Sequence, residues 1–146
     1  MARTIEEELR ERGRILLQTE GVSMKPMLQP RKSSIVVEPK RGKLKKNDVV
    51  IFKRPDGSYV LHRVVKVHAG QYMIRGDNCV ENELVPEEWV IGRLTGFFPD
   101  ESARFVSCGN RLYKGYVALL PVRYLLKKIR AFAARRVKKL LRVKQR

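Results

Sequence analysis

Three polar residues of this chain have the types that nucleophilic peptide hydrolysis requires. Ser23 lies in GVSMKPML (21–28), between a glycine and a Met-x-Pro turn. His62 lies in the middle of YVLHRVVKV (59–67), and Asp77 follows a glycine in RGDNCVENEL. A serine becomes a nucleophile when a base takes its proton and an acid orients that base. These residue types predict acyl-transfer chemistry, provided that the fold brings them together.

Each of these residues also has an ordinary structural interpretation. A loop that enters a strand often carries serine and proline, and Gly-Asp-Asn is a common turn. A lone strand histidine is more often a core or surface residue than a base. The second histidine, His68, stands beside Ala69-Gly70, where we expect a solvated turn. No single segment therefore assigns the chemistry.

Short β-branched segments separated by turn residues fill the middle of the chain and predict an antiparallel, mainly β body. The expected strands are 34–38, 48–53, 59–67, 71–75, 88–98 and 103–107. Asp56-Gly57 lies between two of these segments and is typical of a hairpin turn. This pattern places His62 on a strand, where its side chain has a fixed direction.

Helical patterns stand at the two ends of the chain. Thr4 and Glu7 have the spacing of a capping box, so we expect a short amphipathic helix over 4–18. From Pro121 onward, apolar residues recur every three or four positions among Lys and Arg. Proline is common at the first helical position, so this second helix is expected to begin there.

The positive charge is concentrated in the C-terminal segment. The net charge is +17, and residues 111–146 hold 13 of the 32 Lys and Arg and no acidic residue. The remaining 110 residues carry 19 basic and 15 acidic side chains. We expect three parts: a helical segment over 1–20, a β catalytic domain over 21–110, and a basic amphipathic helix over 111–146.

Composition also argues against several other classes of protein. Cys79 and Cys108 are too few for a disulfide framework and favour reduced thiols in an intracellular protein. No run of 18 apolar residues occurs, and the charged N-terminus is unlike a targeting signal. No Cys/His spacing suits zinc, and no glycine-rich loop suits phosphate. We therefore expect a cytoplasmic protein without a metal or cofactor.

Five segments taken together resemble type I signal peptidases in order and rough spacing. They are GVSMKPML, NDVVIFKR, VLHRVVKV, IRGDN and EEWVIGRLTGFFP, and they span about residues 21 to 98. The similarity is to the branch found in archaea and the endoplasmic reticulum, in which a histidine replaces the lysine base of most bacterial enzymes. The resemblance implies a signal-peptidase-like β fold and a serine endopeptidase.

The resemblance also implies a role for each matched residue. Ser23 is the expected nucleophile, and His62 is the expected general base. Asp77 matches the Gly-Asp-Asn aspartate, and Glu83 stands at a second acidic position of the family. Either acid is a candidate to orient His62, with Asp77 favoured. Backbone N–H groups, including that of Ser23, would hold the oxyanion, because Gly21 stands where many members carry Ser or Thr.

The substrate expected from the resemblance is an extended peptide or a precursor's leader segment that adds as a strand beside the site. Met24, Pro26 and Met27 are candidate residues of the substrate pockets. Family members carry a membrane anchor before the serine box, whereas the preceding segment here is charged. Gly-x-Ser-Met is also similar to self-cleaving repressors of the same clan, which use a lysine base.

Three functions remain open: a Ser-His endopeptidase that processes peptides, a catalytically idle peptide-binding member of the fold, and a regulator with a nucleic-acid-binding tail. The basic helix over 122–144 fits an anionic membrane surface, and packing of its apolar stripe on the β body is an equal alternative. Nucleic acid is less favoured, because no DNA-binding module is recognisable. Membrane contact would make the chain peripheral at the inner face of the membrane.

Overall fold

A computed structural model describes residues 2–144. The fold consists of one antiparallel sheet, with one helix before its strands in the sequence and one helix after them. The helices are α1 (Ile5–Arg12) and α2 (Arg111–Lys144). The strands are β1 (Ile15–Gln18), β2 (Ser34–Pro39), β3 (Val49–Lys53), β4 (Tyr59–His68), β5 (Gln71–Arg75), β6 (Glu83–Pro86), β7 (Val90–Phe98) and β8 (Val106–Ser107). A 3-10 turn, Glu87–Trp89, precedes β7. The prediction of a mainly β protein with a helix near each end is confirmed.

The sheet places β4, which carries His62, near its middle. The strand order is β1-β2-β7-β3-β4-β5-β6, and β8 pairs with β7. In the β3–β4 pair, Val50 lies opposite His62 and Val49 opposite Arg63. Because successive side chains of a strand point to opposite faces, His62 and Arg63 face different surroundings. This alternation decides which acidic residue each of them meets.

The N-terminal helix is shorter than predicted. The expected capping box is present, since the Thr4 side chain accepts from the Glu7 N–H and the Glu7 carboxylate accepts from the Thr4 N–H. However, Gly13 takes a left-handed conformation (φ 68°), and its N–H caps the helix at the Leu9 carbonyl. The following residues form β1, which pairs with β2. The prediction of helix over 4–18 is therefore wrong after α1 ends.

The C-terminal helix begins at Arg111, where the predicted C-terminal part of the chain begins, whereas Pro121, the expected first helical residue, lies inside α2. Asn110 explains the earlier start, because its side-chain oxygen accepts from the Leu112 N–H at 2.7 Å and its carbonyl accepts from the Lys114 N–H at 3.0 Å. Strand β6 was not predicted at all. The strand expected over 103–107 is reduced to β8.

The long apolar stripe of α2 does not pack on the β body. The large apolar side chains of α2 from Val122 onward are more than half exposed: Val122, Leu125, Leu126, Ile129, Phe132, Val137, Leu140, Leu141 and Val143. The alternative in which the stripe of 122–144 packs on the body is therefore wrong. Within the described residues, no helix has the length and hydrophobicity to cross a bilayer.

Candidate active site

Ser23 lies in a tight turn that follows β1. Gly21 has φ 76°, a left-handed conformation that favours glycine, and so lets the chain turn just before the serine. Met24 and Leu28, which follow the serine, are 5% and 3% exposed and pack in the core. Ser23 itself is half-buried, and within residues 2–144 its N–H has no acceptor. That N–H is therefore available as a hydrogen-bond donor.

The segments that carry Ser23, His62 and Asp77 meet around Gly76. A Cβ on Gly76 would lie 2.6 Å from the Ser23 carbonyl oxygen and 3.1 Å from the His62 Nε2 atom. It would also lie 2.9 Å from the Cys79 sulfur, so no side chain fits at this position. The Asn78 N–H donates to the same Ser23 carbonyl at 2.8 Å. Gly-Asp-Asn thus supplies both a close approach and a fixed hydrogen bond to the serine turn.

His62 has one ring nitrogen near the serine turn and one that is buried. Its Nε2 atom lies beside Gly76, whereas its Nδ1 atom is buried and has no partner among the described residues. Burial lowers the pKa of His62 below its ordinary value, and the charge of Glu83 partly opposes this effect. The imidazole is therefore neutral at neutral pH, which is the state that a general base requires.

Asp77 is held in a buried ion pair and, among the hydrogen bonds of residues 2–144, has none to His62. Its two oxygens accept from the Arg63 Nε and Nη2 atoms, each at 2.8 Å, and the two side chains are 2% and 5% exposed. The Tyr116 hydroxyl also donates to Asp77 Oδ2 at 2.8 Å. Burial and the Asp77 carboxylate raise the pKa of Tyr116, which keeps it a donor. Asp77 thus anchors the loop rather than the imidazole.

Glu83 lies on the other side of the site, in a more accessible pair. Its carboxylate accepts from the Arg54 Nε and Nη2 atoms at 3.0 and 2.7 Å. The Arg54 and Glu83 side chains are 37% and 31% exposed. With His62, Cys79 and Lys127 they line a cavity of about 610 Å³. The charge of Glu83 raises the pKa of His62 more than that of Asp77 does, although no hydrogen bond joins Glu83 to the ring.

A second cavity of about 470 Å³ opens beside Ser23 and is lined mainly by apolar side chains. Its apolar residues are Ile5, Leu17, Met24, Leu28, Ile35, Ile51, Tyr59, Val60 and Leu61. Of the three candidate pocket residues, Met24 lies here with Ser23 and Gly21. Pro26 and Met27 instead line a separate depression beside Pro99. The structure therefore brings one of the three to the serine and places two elsewhere.

Helix α2 supplies contacts to this site that the sequence analysis missed. The Tyr124 hydroxyl donates to the Val80 carbonyl at 3.2 Å, and the Lys127 ammonium donates to the carbonyl and side-chain oxygens of Asn78. The first half of α2 thereby holds the loop that follows Gly76. Tyrosines three and eight residues apart on this helix share one face, and that spacing was the available signal.

No protein-family model matches the chain, and no curated protein matches it significantly. Within residues 2–144, no three His, Cys, Asp or Glu side chains lie together as a metal-ion site requires.

Proposed function

We propose that the chain is a serine endopeptidase of the signal peptidase type, in which Ser23 is the nucleophile and His62 the general base. The observation that carries this proposal is the convergence at Gly76. Residues far apart in sequence supply a serine turn, an imidazole nitrogen and a loop that fixes the serine carbonyl. Acyl transfer needs a serine hydroxyl and an imidazole in one place, and this convergence brings the backbone of the serine turn to the imidazole.

The proposed reaction proceeds in two halves. The Ser23 hydroxyl passes its proton to the His62 Nε2 atom as its oxygen bonds to the peptide carbonyl carbon, and the Ser23 N–H donates a hydrogen bond to the oxyanion. The C–N bond then breaks, and His62 returns the proton to the departing amine. Water repeats the sequence on the acyl-enzyme and releases the acid. A neutral His62 can begin this cycle because burial lowers its pKa.

We assign the orientation of His62 to Glu83 and thereby reverse the preference for Asp77. Both oxygens of Asp77 are occupied by the buried Arg63, and Tyr116 adds a third donor. Glu83 is paired with Arg54 nearer the surface, where both side chains are about one third exposed and solvent weakens the pair. A rotation of Glu83 toward the Nδ1 atom would therefore cost less than breaking the buried pair of Asp77, and it would provide that atom with its missing acceptor.

The proposed substrate is an extended stretch of a peptide or protein precursor. Strand β1 lies at one end of the sheet, so one of its edges is free to pair with a peptide strand. Residues of β1 and of the turn that follows it, including Leu17, Gln18 and Gly21, line the apolar cavity beside Ser23. A peptide on this edge would place one aliphatic side chain in the cavity and the next bond at the serine.

The second candidate function is peptide binding without cleavage. The unpartnered Nδ1 atom of His62 favours it, because an imidazole that no acid orients is a poor base. A cytoplasmic location at the inner face of the membrane is part of either proposal.

Hydrolysis of a library of extended peptides, followed by mass spectrometry, distinguishes these functions. The endopeptidase proposal predicts cleavage by the wild type, loss in Ser23→Ala and His62→Ala, and retention in Ser102→Ala, a serine of an exposed loop. Peptides that bind the wild type and remain intact would support the idle alternative. Equal cleavage by the wild type and Ser23→Ala would contradict the assignment of the nucleophile.

A further inference from the structure

Helix α2 contacts the β body along one face only. Tyr113 on this face is 8% exposed, and the residues that continue the face are half-buried. Apart from the adjacent pair Tyr116 and Val117 they recur every three or four positions, and they are Tyr116, Val117, Leu120, Tyr124, Lys127 and Ala131. The contacts of this face with the body include the bonds to the loop after Gly76. This face therefore has its partner within the chain.

The opposite face of α2 is apolar and, among residues 2–144, has no such partner. We call it the outer stripe, and its members are Leu119, Val122, Leu126, Ile129, Ala133, Val137 and Leu140. At about 100° per residue, this set is centred half a turn away from Tyr113. Its large side chains are between 51% (Leu126) and 67% (Leu140) exposed. Six large aliphatic side chains in one line are far more than the scattered apolar residues of an ordinary surface.

Cationic side chains border the outer stripe on both sides. Lys128 and Lys139 lie along one border, and Arg123 and Arg130 lie along the other, all of them exposed. No acidic residue occurs between residues 111 and 146. Beyond Ala131, the side chains of α2 are exposed as far as position 143. The face that packs on the body before this residue carries exposed cations after it, at positions 135, 138 and 142. The helix thus presents an apolar line within a wide positive field.

We propose that the outer stripe docks on an anionic lipid surface, with α2 lying in the headgroup layer. Aliphatic side chains would enter the acyl boundary, and the bordering Lys and Arg would meet lipid phosphates. A second copy of the chain fits less well, because two outer stripes in contact would bring unneutralised cations together. Duplex nucleic acid would satisfy the charges but leave the aliphatic line in water. An anionic lipid surface would provide a partner for the cations and for the aliphatic side chains.

This inference does not depend on catalysis, but it has a consequence for the candidate site. The same helix that would rest on the lipid holds Asn78 through Lys127, and Asn78 binds the Ser23 carbonyl. A chain docked by α2 would therefore keep the serine turn at a fixed distance from the membrane. Vesicle binding is measured without any substrate, so its failure and the failure of the peptidase proposal are separate results.

Flotation of the full chain with vesicles tests the inference. Vesicles of phosphatidylcholine with phosphatidylglycerol at about 30%, an anionic lipid fraction that attracts basic segments, are compared with phosphatidylcholine alone. The variant is Ile129→Asp, and the matched control is Leu16→Asp on β1, since the two side chains are 55% and 62% exposed and the change of charge is the same. Circular dichroism verifies that both variants keep their helix content.

We expect the wild type to bind the anionic vesicles and not the neutral ones. Ile129→Asp should lower the partition coefficient at least about tenfold relative to Leu16→Asp, because it removes one buried aliphatic side chain in addition to the shared charge effect. Equal losses in the two variants would overturn the proposal, since binding would then depend on charge alone. Failure of the wild type to bind anionic vesicles would also overturn the proposal. Binding to duplex DNA instead, or a dimer that Ile129→Asp dissociates, would then identify the occupant of the outer stripe.

Discussion

The buried ion pair of Asp77 and Arg63 leads to a prediction that separates structural from catalytic acids. Asp77→Asn removes one charge and leaves the Arg63 guanidinium, whose side chain is 5% exposed, without its carboxylate partner. Breaking a buried pair in this way costs about 3–5 kcal/mol of unfolding free energy. Total stabilities are only about 5–15 kcal/mol, so the loss is a large fraction. For a chain of this length it corresponds to a fall of roughly 6–20 °C in Tm.

Urea unfolding, followed by the fluorescence of Trp89, the single tryptophan, measures this loss directly. Arg63→Met should also be strongly destabilising, since it leaves the Asp77 carboxylate buried alone. The double variant Arg63→Met/Asp77→Asn should lose less than the sum of the two single losses, because neither charge is then left without a partner. By contrast, Glu83→Gln should cost no more than about 1 kcal/mol, as its pair with Arg54 is near the surface.

The result that refutes this reasoning is specific. If Asp77→Asn keeps the urea midpoint of the wild type but abolishes peptide cleavage, then Asp77 orients His62 and the assignment to Glu83 is wrong. A Glu83→Gln variant that loses several kcal/mol of stability would point to the same conclusion. We expect Asp77→Asn to lose stability and Glu83→Gln to lose activity.

Three further predictions concern the geometry around the serine. Gly76→Ala should abolish cleavage and lower the urea midpoint, since the new Cβ would come within 2.6 Å of a carbonyl oxygen. An NMR titration should give His62 a pKa below 6.5, because burial disfavours its charged form, and Glu83→Gln should lower that pKa further. Lys127→Met should speed hydrogen exchange at the Asn78 amide and reduce cleavage, because the loop that fixes the serine turn loses its ammonium donor.

Each of these predictions has a control in the same chain. Gly115→Ala adds a Cβ that meets nothing within 4 Å, so it should lower neither stability nor cleavage. Lys128→Met changes a neighbouring exposed residue and should leave amide exchange in the Asn78 loop unchanged. The account is contradicted if Gly76→Ala behaves like Gly115→Ala, if His62 titrates at or above 6.5, or if the two lysine variants give equal exchange rates.

The sequence predicted most strands because alternation and turn residues are local signals. The sequence-based prediction was wrong where a single residue determines whether a segment is helix, strand or turn. The spacing of Ile5, Leu9 and Leu16 fits a continuous helix, but the left-handed Gly13 ends α1 and frees the next residues to pair with β2. The start of α2 at Arg111, ten residues before Pro121, depends on the Asn110 cap. Caps therefore carried more information than apolar periodicity at both ends of the chain.

The choice between the two acids could not be made from sequence, because it depends on which face of β4 each one meets. Adjacent residues of a strand point in opposite directions, so an acid that binds Arg63 lies away from the partner of His62. Asp77 binds Arg63 with both oxygens, whereas Glu83 lines a cavity with His62. Neither contact is encoded in the spacing of the two acids along the chain.

The most direct test of the central claim is mass spectrometry of the purified chain after treatment with a serine-reactive acylating probe, with and without anionic vesicles. The account predicts one covalent adduct on Ser23 that is absent in Ser23→Ala and in His62→Ala, and that declines at acidic pH as His62 becomes protonated. A wild type that stays unmodified under every condition, or an adduct that persists in Ser23→Ala, would contradict the claim that His62 activates Ser23.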